Sequence, residues 1–437
     1  MEERYRLAVR ERLAEFEAAT LPNPTPRAVR LLQLQGKADV VVGMRRVGKS
    51  WLLLHRIQEL IARGVSRSRI CYFEFEDERL AGMATEHLRF VDDEFFARNP
   101  ESRTGECWFF FDEIQEVPGW EKYVRRLLGE PRFHIAVTGS SARLLGKEIA
   151  SSLRGRALTT ELFPFSFAEA VEHAGIDRPS KWPVAGAARA RLQRAFEGYL
   201  SQGGFPEVQG LDEEAWRRVL QSYLEIALLR DVAERHAITN VQALRFVVRR
   251  LLRSVGSRIT ANGLLKDLQS QQIAIGKDQI YSQLANLEDA YLVFLLPLYT
   301  SSERRRQMNP RKVYAIDQGL VRACTPGTSS DTGHRLENLV YLELRRRGQV
   351  LGHQINEDGT EVDFVAESAD GERFLVQACA DLAMEGTRER ELAALATAAR
   401  ETKIDTATIV SLAEEATEVR DGVSIRIVPA WRWLLQK

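Results

Sequence analysis

The stretch Gly43-Met-Arg-Arg-Val-Gly-Lys-Ser50 has the spacing GxxxxGK[ST]. It directly follows the apolar run Ala38–Val42 and opens a segment, residues 49–63, with the apolar spacing of a helix. Glycines in such a loop let backbone N–H groups curve around phosphate oxygens, and the N-terminus of the following helix favours an anion. In that arrangement Lys49 reaches the β- and γ-phosphates, and the Ser50 hydroxyl holds Mg²⁺. The motif therefore predicts binding of ATP with Mg²⁺.

This strand–loop–helix context disfavours the alternative, a chance glycine loop. The residues predicted to contact the nucleotide here are Gly43, Arg45, Arg46, Val47, Gly48, Lys49, Ser50 and Trp51.

A second motif, Trp108-Phe-Phe-Phe-Asp112-Glu113, consists of four apolar residues followed by two acids. An acid at the carboxyl end of a buried strand is costly unless a cation or a donor meets it there. We expect Asp112 to orient the Mg²⁺ shell and Glu113 to polarise the attacking water. The alternative, an ordinary carboxylate pair at a strand end, is weakened because the phosphate loop precedes it in the same chain.

Short apolar runs alternate with helical segments around these motifs. Ile70–Phe75, Cys107–Phe111 and His134–Thr138 are rich in β-branched and aromatic residues. A proline-rich connector, residues 21–26, follows an amphipathic N-terminal helix, and a short helix is expected before Ala38. The alternation predicts an α/β fold with a parallel sheet that is covered on both faces.

Composition sets further limits. A chain of 437 residues allows about three domains, and 44% hydrophobic with 28% charged residues is typical of globular proteins. Lys+Arg and Asp+Glu both number 61, so binding to nucleic acid would require a local basic patch. Four scattered cysteines without a CxxC pair disfavour a disulfide framework and a zinc ribbon. No apolar run reaches the roughly 20 residues of a membrane helix. We expect a soluble, cytoplasmic protein that contacts no membrane.

Residues 237–330 read as three helices followed by two apolar runs, YLVFLLPLY (residues 291–299) and KVYAID (residues 312–317). This is the order of elements in a winged helix, a variant of the helix-turn-helix. The expected wing, residues 301–312, and the first helix of this segment carry a concentration of basic residues. The predicted contacts to DNA phosphates are Arg304, Arg305, Arg306, Arg311, Lys312, Arg249 and Arg253. The alternative for these residues is a solvated face or an ion-paired surface between subunits.

Four segments of the chain carry a family resemblance. They are GMRRVGKS (43–50), FFFDEIQEV (109–117), AVTGSSARLL (136–145) and SSLRGRALTTELFPFSFAEA (151–170). Together they resemble AAA-type P-loop ATPases of the STAND-like group of bacteria and archaea. The resemblance continues through LEIALLRDVAERH (224–236), YAIDQGL (314–320) and RLENLVYLEL (335–344), and so covers most of the chain.

The resemblance implies further site residues. Thr138, with Ser140 and Ser141, lies at the end of the sensor strand, where a polar side chain reports the γ-phosphate. Arg156, with Arg154 beside it, matches an arginine that stabilises phosphoryl charge from a neighbouring subunit. A plain surface arginine remains the alternative. The GxP turn of the family, which lies near the nucleotide base, is matched here by Gly204 and Pro206. A simple loop turn explains those two residues equally well.

Residues 331–437 resemble the restriction-endonuclease-type fold of the PD-(D/E)xK class. Glu337 matches the acid on its helix and Asp363 the acid on its first strand. Gln377 and Cys379 stand where the next strand carries an acid and a lysine. Glutamine is a poor substitute for a carboxylate at a hard divalent cation. We therefore expect a degenerate nuclease site without activity.

These observations predict a P-loop sheet with a helical lid, a winged-helix domain and a C-terminal restriction-endonuclease-like α/β domain. The expected boundaries are 1–26 for the N-terminal helix and linker, 27–165 for the ATPase core, 166–236 for the lid, 237–330 for the winged helix and 331–437 for the nuclease-like domain. The predicted function is an ATPase that binds or remodels duplex or branched DNA, such as Holliday junctions, as a homo-oligomeric ring, expected to be a hexamer. Two alternatives remain: a nucleotide-dependent signalling or stress switch that binds a protein partner, and an ATP-dependent nuclease.

Overall fold

The computed structural model describes residues 2–140, 153–184, 186–308, 310–325 and 332–436. The chain divides into two units, Met1–Leu162 and Phe163–Lys437. Among the described residues no helix combines the length and the apolar character needed to cross a membrane.

The first unit is built on a five-stranded sheet. Its strands are β1 (Ala38–Val42), β2 (Ile70–Glu74), β3 (Cys107–Asp112), β4 (Phe133–Gly139) and β5 (Ala157–Glu161). Their order is β2-β3-β4-β1-β5, and all neighbouring strands are parallel. The accompanying helices are α1 (Glu2–Ala18), α2 (Lys49–Ala62), α3 (Arg89–Arg98) and α4 (Trp120–Leu127). The predicted parallel α/β sheet is confirmed.

The segment before β1 differs from its prediction. Residues 19–37 contain no helix, although a short one was expected there. The backbone N–H groups of Leu32 and Gln33 instead donate to the buried Asp39 carboxylate, at 3.1 and 2.8 Å. A side chain thus satisfies donors that a helix would otherwise pair internally.

The second unit begins with helices. They are α5 (Phe167–His173), α6 (Gly186–Gln202), α7 (Glu213–Ile226), which continues as a π-helix over Ala227–Glu234, and α8 (Val241–Leu252). The Asp212 side chain starts α7 by accepting the N–H groups of Glu214 and Ala215.

A three-stranded antiparallel sheet follows. It comprises β6 (Arg258–Ile259), β7 (Val293–Leu296) and β8 (Arg311–Ala315) in the order β6-β8-β7, with α9 (Ala261–Ser270) and α10 (Lys277–Asp289) between β6 and β7. The connection from β7 to β8 corresponds to the expected wing, residues 301–312, but instead of a simple hairpin tip it contains a short helix, α11 (Glu303–Met308). Its sequence, ERRRQM, consists entirely of good helix formers.

The C-terminal part holds a six-stranded mixed sheet. Its strands are β9 (Val350–Ile355), β10 (Glu361–Glu367), β11 (Arg373–Cys379), β12 (Thr406–Ser411), β13 (Ala416–Arg420) and β14 (Val423–Pro429), in the order β13-β14-β12-β11-β10-β9. The helices of this region are α12 (Gln318–Cys324), α13 (Thr332–Arg346), α14 (Glu385–Thr402) and α15 (Ala430–Trp433). Leu392 and Leu395 of α14 join Val365 and Ile409 of the sheet in one buried core.

Candidate active site and a buried lysine cluster

The loop between β1 and α2 turns tightly through three residues with positive φ. Gly43 and Gly48 adopt φ values of 156° and 98°, and Arg46 adopts a left-handed φ of 70°. A Cβ atom on Gly43 would lie 2.2 Å from the carbonyl oxygen of Leu162. Only glycine therefore fits at the start of this loop, because any side chain would collide with backbone.

Lys49 directs its ammonium group back into the loop. The Nζ atom donates to the carbonyl oxygens of Gly43 and Met44, at 3.2 and 3.3 Å. It also lies 3.1 Å from Oε1 of Glu113. The lysine is buried, and its ammonium group is fixed between the loop carbonyls and Glu113.

Asp112 ends β3 as a fully buried carboxylate. The Tyr72 hydroxyl donates to its Oδ2 at 2.7 Å, and the Thr138 hydroxyl donates to its Oδ1. Burial raises the pKa of Asp112, repulsion from Glu113 adds to this, and hydrogen bonds from Ser50, Thr138 and Tyr72 oppose it. A cation beside Ser50 would relieve this cost, which is the role that the motif assigns to Mg²⁺.

Glu113 is held in a strained backbone position, with φ of 49°. Its N–H donates to the Thr138 hydroxyl at 2.9 Å, and Gln115 donates to its Oε2 at 2.5 Å. Burial alone would raise the pKa of Glu113, but the Lys49 cation and the hydrogen bond from Gln115 bring the pKa below its ordinary value. The carboxylate is thus ionised and able to orient a water molecule.

The structure also places the other residues predicted for this site. The Thr138 hydroxyl donates to the Asp112 carboxylate and accepts the N–H of Glu113, so it orients both residues. Arg45 pairs with Glu76 at 2.9 Å, while Arg46 and Trp51 are exposed. Val47 is completely buried, which gives its side chain a packing role.

Three further predicted positions lie near the end of this unit. Arg154 and Arg156 are exposed. The carbonyl oxygen between them, on Gly155, accepts a hydrogen bond from the Lys37 ammonium at 2.8 Å. Ser141 lies outside the described residues.

Gly204 and Pro206 belong to the second unit. The Gly204 N–H donates to Oδ2 of the buried Asp317 at 2.7 Å, and its carbonyl accepts the Phe165 N–H at 2.7 Å. A Cβ atom on Gly204 would lie 2.2 Å from the Phe165 carbonyl oxygen. The need for glycine here is explained by packing, and the expected contact with a nucleotide base stays a prediction.

Lys312 lies in a different environment from the one predicted. It is buried, and its Nζ atom lies 2.8 Å from Glu337 Oε1, 2.7 Å from Glu361 Oε1 and 2.8 Å from Asp363 Oδ1. The assignment of Lys312 to DNA phosphates is therefore wrong, because three carboxylates already surround its ammonium group. Among the residues that the structure describes, no group of His, Cys, Asp and Glu side chains is arranged to hold a metal ion.

Lys312, Glu337, Glu361 and Asp363 form a group of tightly coupled charges, the Lys312 cluster. Burial alone would lower the pKa of Lys312, but Asp363, Glu337 and Glu361 raise it well above its ordinary value. Burial, with repulsion from Asp363, raises the pKa of Glu337 to about 8. The Tyr314 hydroxyl donates to Glu337 Oε1 at 2.8 Å. Lys312 is thus fixed as a cation by its surroundings.

The remaining residues of the expected nuclease site have structural partners. Gln377 accepts the Asp363 N–H at 2.9 Å and donates to Glu391 at 2.8 Å. Burial raises the pKa of Cys379 to about 11, so its thiol stays neutral. Glu361 was not singled out from the sequence. It lies two residues before Asp363 on β10, and residues two apart on a strand share a face.

The other predicted DNA contacts differ in exposure. Arg304, Arg305 and Arg306 are exposed on α11, and Arg249 and Arg253 are exposed at the end of α8. Arg311 is half-buried on β8.

Comparison with protein families gives two matches. Residues 35–171 match an AAA domain, and residues 193–331 match a domain of unknown function (DUF8612). An uncharacterized protein of Methanocaldococcus jannaschii is 33% identical over 434 residues, covering 97% of this chain and 94% of that protein. An uncharacterized protein of Haemophilus influenzae is 29% identical over 334 residues, covering 76% of this chain and 80% of that protein.

Among solved structures, the Aeropyrum pernix ORC1 protein in complex with DNA is 15% identical, with 74% of this chain and 91% of that chain covered. The TM-score is 0.25, and a similarity at this level carries no argument about function.

Proposed function

Since this chain belongs to the same family of AAA-domain proteins as the uncharacterized Methanocaldococcus jannaschii protein, we propose that it binds ATP with Mg²⁺ and hydrolyses the nucleotide. One observation carries the proposal: the Lys49 ammonium, between the loop carbonyls and Glu113, joins both motifs at one end of the parallel sheet.

The residues present fit both ligands. Backbone N–H groups of the loop 43–48 and the Lys49 ammonium would hold the phosphates, and Ser50 with Asp112 would hold Mg²⁺. The ion would offset the negative charge of the phosphates. Glu113, ionised and held by Thr138 and Gln115, would orient the attacking water.

We further propose that the ATPase acts on DNA. The order β6-β8-β7 together with α8, α9 and α10 supports a winged helix, and the exposed arginines of α8 and α11 support contacts to phosphates. The proposed assembly is a homo-oligomeric ring, a hexamer, in which Arg156 or Arg154 reaches the neighbouring subunit's nucleotide. Branched DNA is the proposed substrate form.

The C-terminal sheet is proposed as a nuclease-like domain that cuts no DNA. Lys312 supports this assignment because its ammonium group occupies the space between all three carboxylates. A divalent cation would have to displace it.

The test compares ATP hydrolysis by the full chain and by Lys49→Ala, each with and without duplex or four-way-junction DNA. We expect DNA to stimulate the wild-type rate. Lys49→Ala should lose hydrolysis, because it removes the charge that would hold the phosphates. Since it also breaks the buried ion pair with Glu113, circular dichroism checks that the fold persists. Full activity of Lys49→Ala would contradict the ATP site. A wild-type rate that no DNA changes would favour the nucleotide-dependent switch.

A further inference from the structure

A groove of about 540 Å³ lies beside the three-stranded sheet, between α10 and α11. This volume falls within the range of sites that hold small ligands. Leu295 and Pro297 give the groove an apolar floor, and Tyr281, Arg306 and Arg311 contribute its larger side chains. The groove thus combines an aromatic ring with two guanidinium groups.

Tyr281 is unusual among the aromatic residues of this unit because 54% of its surface is exposed. It lies one helical turn after Lys277, whose Nζ atom is 5.9 Å from the ring centroid. An exposed aromatic ring with cations around it suits stacking of a nucleobase, since every base has a π-face.

The guanidinium groups can serve a phosphate. Arg306 is oriented by a hydrogen bond from Nη2 to the Thr300 carbonyl at 3.0 Å, and its Nη1 lies 3.7 Å from Glu303 Oε2. That second distance is too long for a hydrogen bond, so the pair is loose. Guanidinium groups donate charge-assisted hydrogen bonds to phosphate oxygens. A bound phosphate could therefore replace Glu303 as the anionic partner of Arg306.

We infer that this groove binds one unpaired nucleotide of a DNA strand, with the base on Tyr281 and the phosphate at Arg306 and Arg311. The inference rests on the proposed action on DNA and specifies which part of the DNA is held. The protein groove is too small to hold a DNA duplex, whose major groove alone is about 12 Å wide. Forks and single-stranded gaps expose unpaired nucleotides, whereas the interior of a blunt duplex does not.

The experiment measures fluorescence anisotropy of a labelled short oligothymidylate and of a labelled blunt duplex, each titrated with the full chain. Tyr281→Ala should weaken oligothymidylate binding about tenfold and leave duplex binding unchanged. Tyr281→Phe keeps the ring and should stay within about twofold of wild type. Glu303→Gln should strengthen oligothymidylate binding, since it removes the acid that competes with phosphate. Glu214→Gln, at an exposed acid of α7 that also pairs with an arginine, is the matched control for the loss of a negative charge in Glu303→Gln.

The outcomes separate this inference from the proposed function. Equal losses on both probes in Tyr281→Ala, or no loss on either, would overturn the unpaired-nucleotide site. Wild-type protein that binds duplex but not oligothymidylate would overturn the groove alone. Wild-type protein that binds neither probe would overturn the groove together with the proposed action on DNA.

Discussion

Glu113 is the residue on which the hydrolytic step depends most directly. Glu113→Gln keeps the shape of the side chain and removes its charge, so we expect ATP binding to persist and hydrolysis to slow by about 10²–10⁴-fold. Nucleotide binding measured with a fluorescent ATP analogue, and phosphate release measured on the same preparation, separate the two effects. Normal turnover by Glu113→Gln would show that another group orients the water.

Lys312 offers a second test, on stability. Lys312→Met leaves buried carboxylates without their counter-ion, and breaking a buried ion pair costs about 3–5 kcal/mol in the free energy of unfolding. Adding Glu337→Gln and Asp363→Asn to Lys312→Met removes two of the three carboxylate charges and leaves Glu361 with Arg258 as its partner at 3.4 Å, so it should recover most of that loss. Urea denaturation measures both changes.

A Lys312→Met variant within about 1 kcal/mol of wild type would contradict the importance of this cluster. The wild-type chain should also cut no DNA with Mg²⁺ or Mn²⁺. Metal-dependent cleavage that disappears in Asp363→Ala would overturn the assignment of a degenerate site.

The two sites show what a sequence can predict about single residues. Lys49 and Ser50 were found because their chemistry lies within eight consecutive residues, whose spacing encodes the loop. The partners of Lys312 lie 25 to 51 residues further along the chain, and no local spacing encodes such contacts. A usable signal was the alternation Glu361-Val-Asp363, which places both acids on one face of a strand.

The helix α11 changes how the basic residues of the β7–β8 connection are presented. A hairpin tip would have carried Arg304, Arg305 and Arg306 on an extended loop, but the helix turns successive side chains by about 100°. The prediction failed because the basic run was interpreted from its place between two strands, although its residues favour helix. The strands themselves were correctly located, since buried apolar runs of this length are a strong signal.

The same helix gives a test of phosphate contact. Reversing Arg304, Arg305 and Arg306 to Glu should weaken binding to all DNA sequences about equally, because phosphate contacts carry no base information. Each lost contact should also flatten the slope of log affinity against log salt by about 0.9 for duplex DNA. Arg218→Glu, which reverses an exposed charge on α7, serves as the control. Unchanged affinity and salt slope would remove α11 from the DNA interface and strengthen the switch alternative.

For the whole molecule, the AAA-type resemblance is confirmed over residues 35–171 by the family match. The finer partition into lid, winged helix and nuclease-like domain stays a prediction. The structure divides the chain between Leu162 and Phe163, three residues before the predicted end of the ATPase core. Sequence patterns locate elements well, but they do not encode which elements share one core, since that depends on contacts between distant segments.

Assembly can be tested by mixing variants. Arg156→Ala lacks the proposed arginine, and Glu113→Gln lacks the acid, so an interface between the two variants can carry both intact groups. Mixing them should restore part of the ATPase activity that each lacks. A mixture of Lys49→Ala with Glu113→Gln is the control, because Lys49 and Glu113 belong to one subunit's site. Full activity in strictly monomeric protein would contradict any need for a neighbour.

The Lys312 cluster also bears on how this unit opens. Lys312 lies on a strand of the three-stranded sheet, whereas Asp363 and Glu361 lie on the six-stranded sheet and Glu337 on α13. Moving any one of these elements away from the rest leaves the charges that stay buried without their counter-ion, so partial opening is penalised nearly as much as complete opening. Amide hydrogens of β8, β10 and α13 should consequently exchange with solvent in a single concerted event, with nearly equal protection in all three.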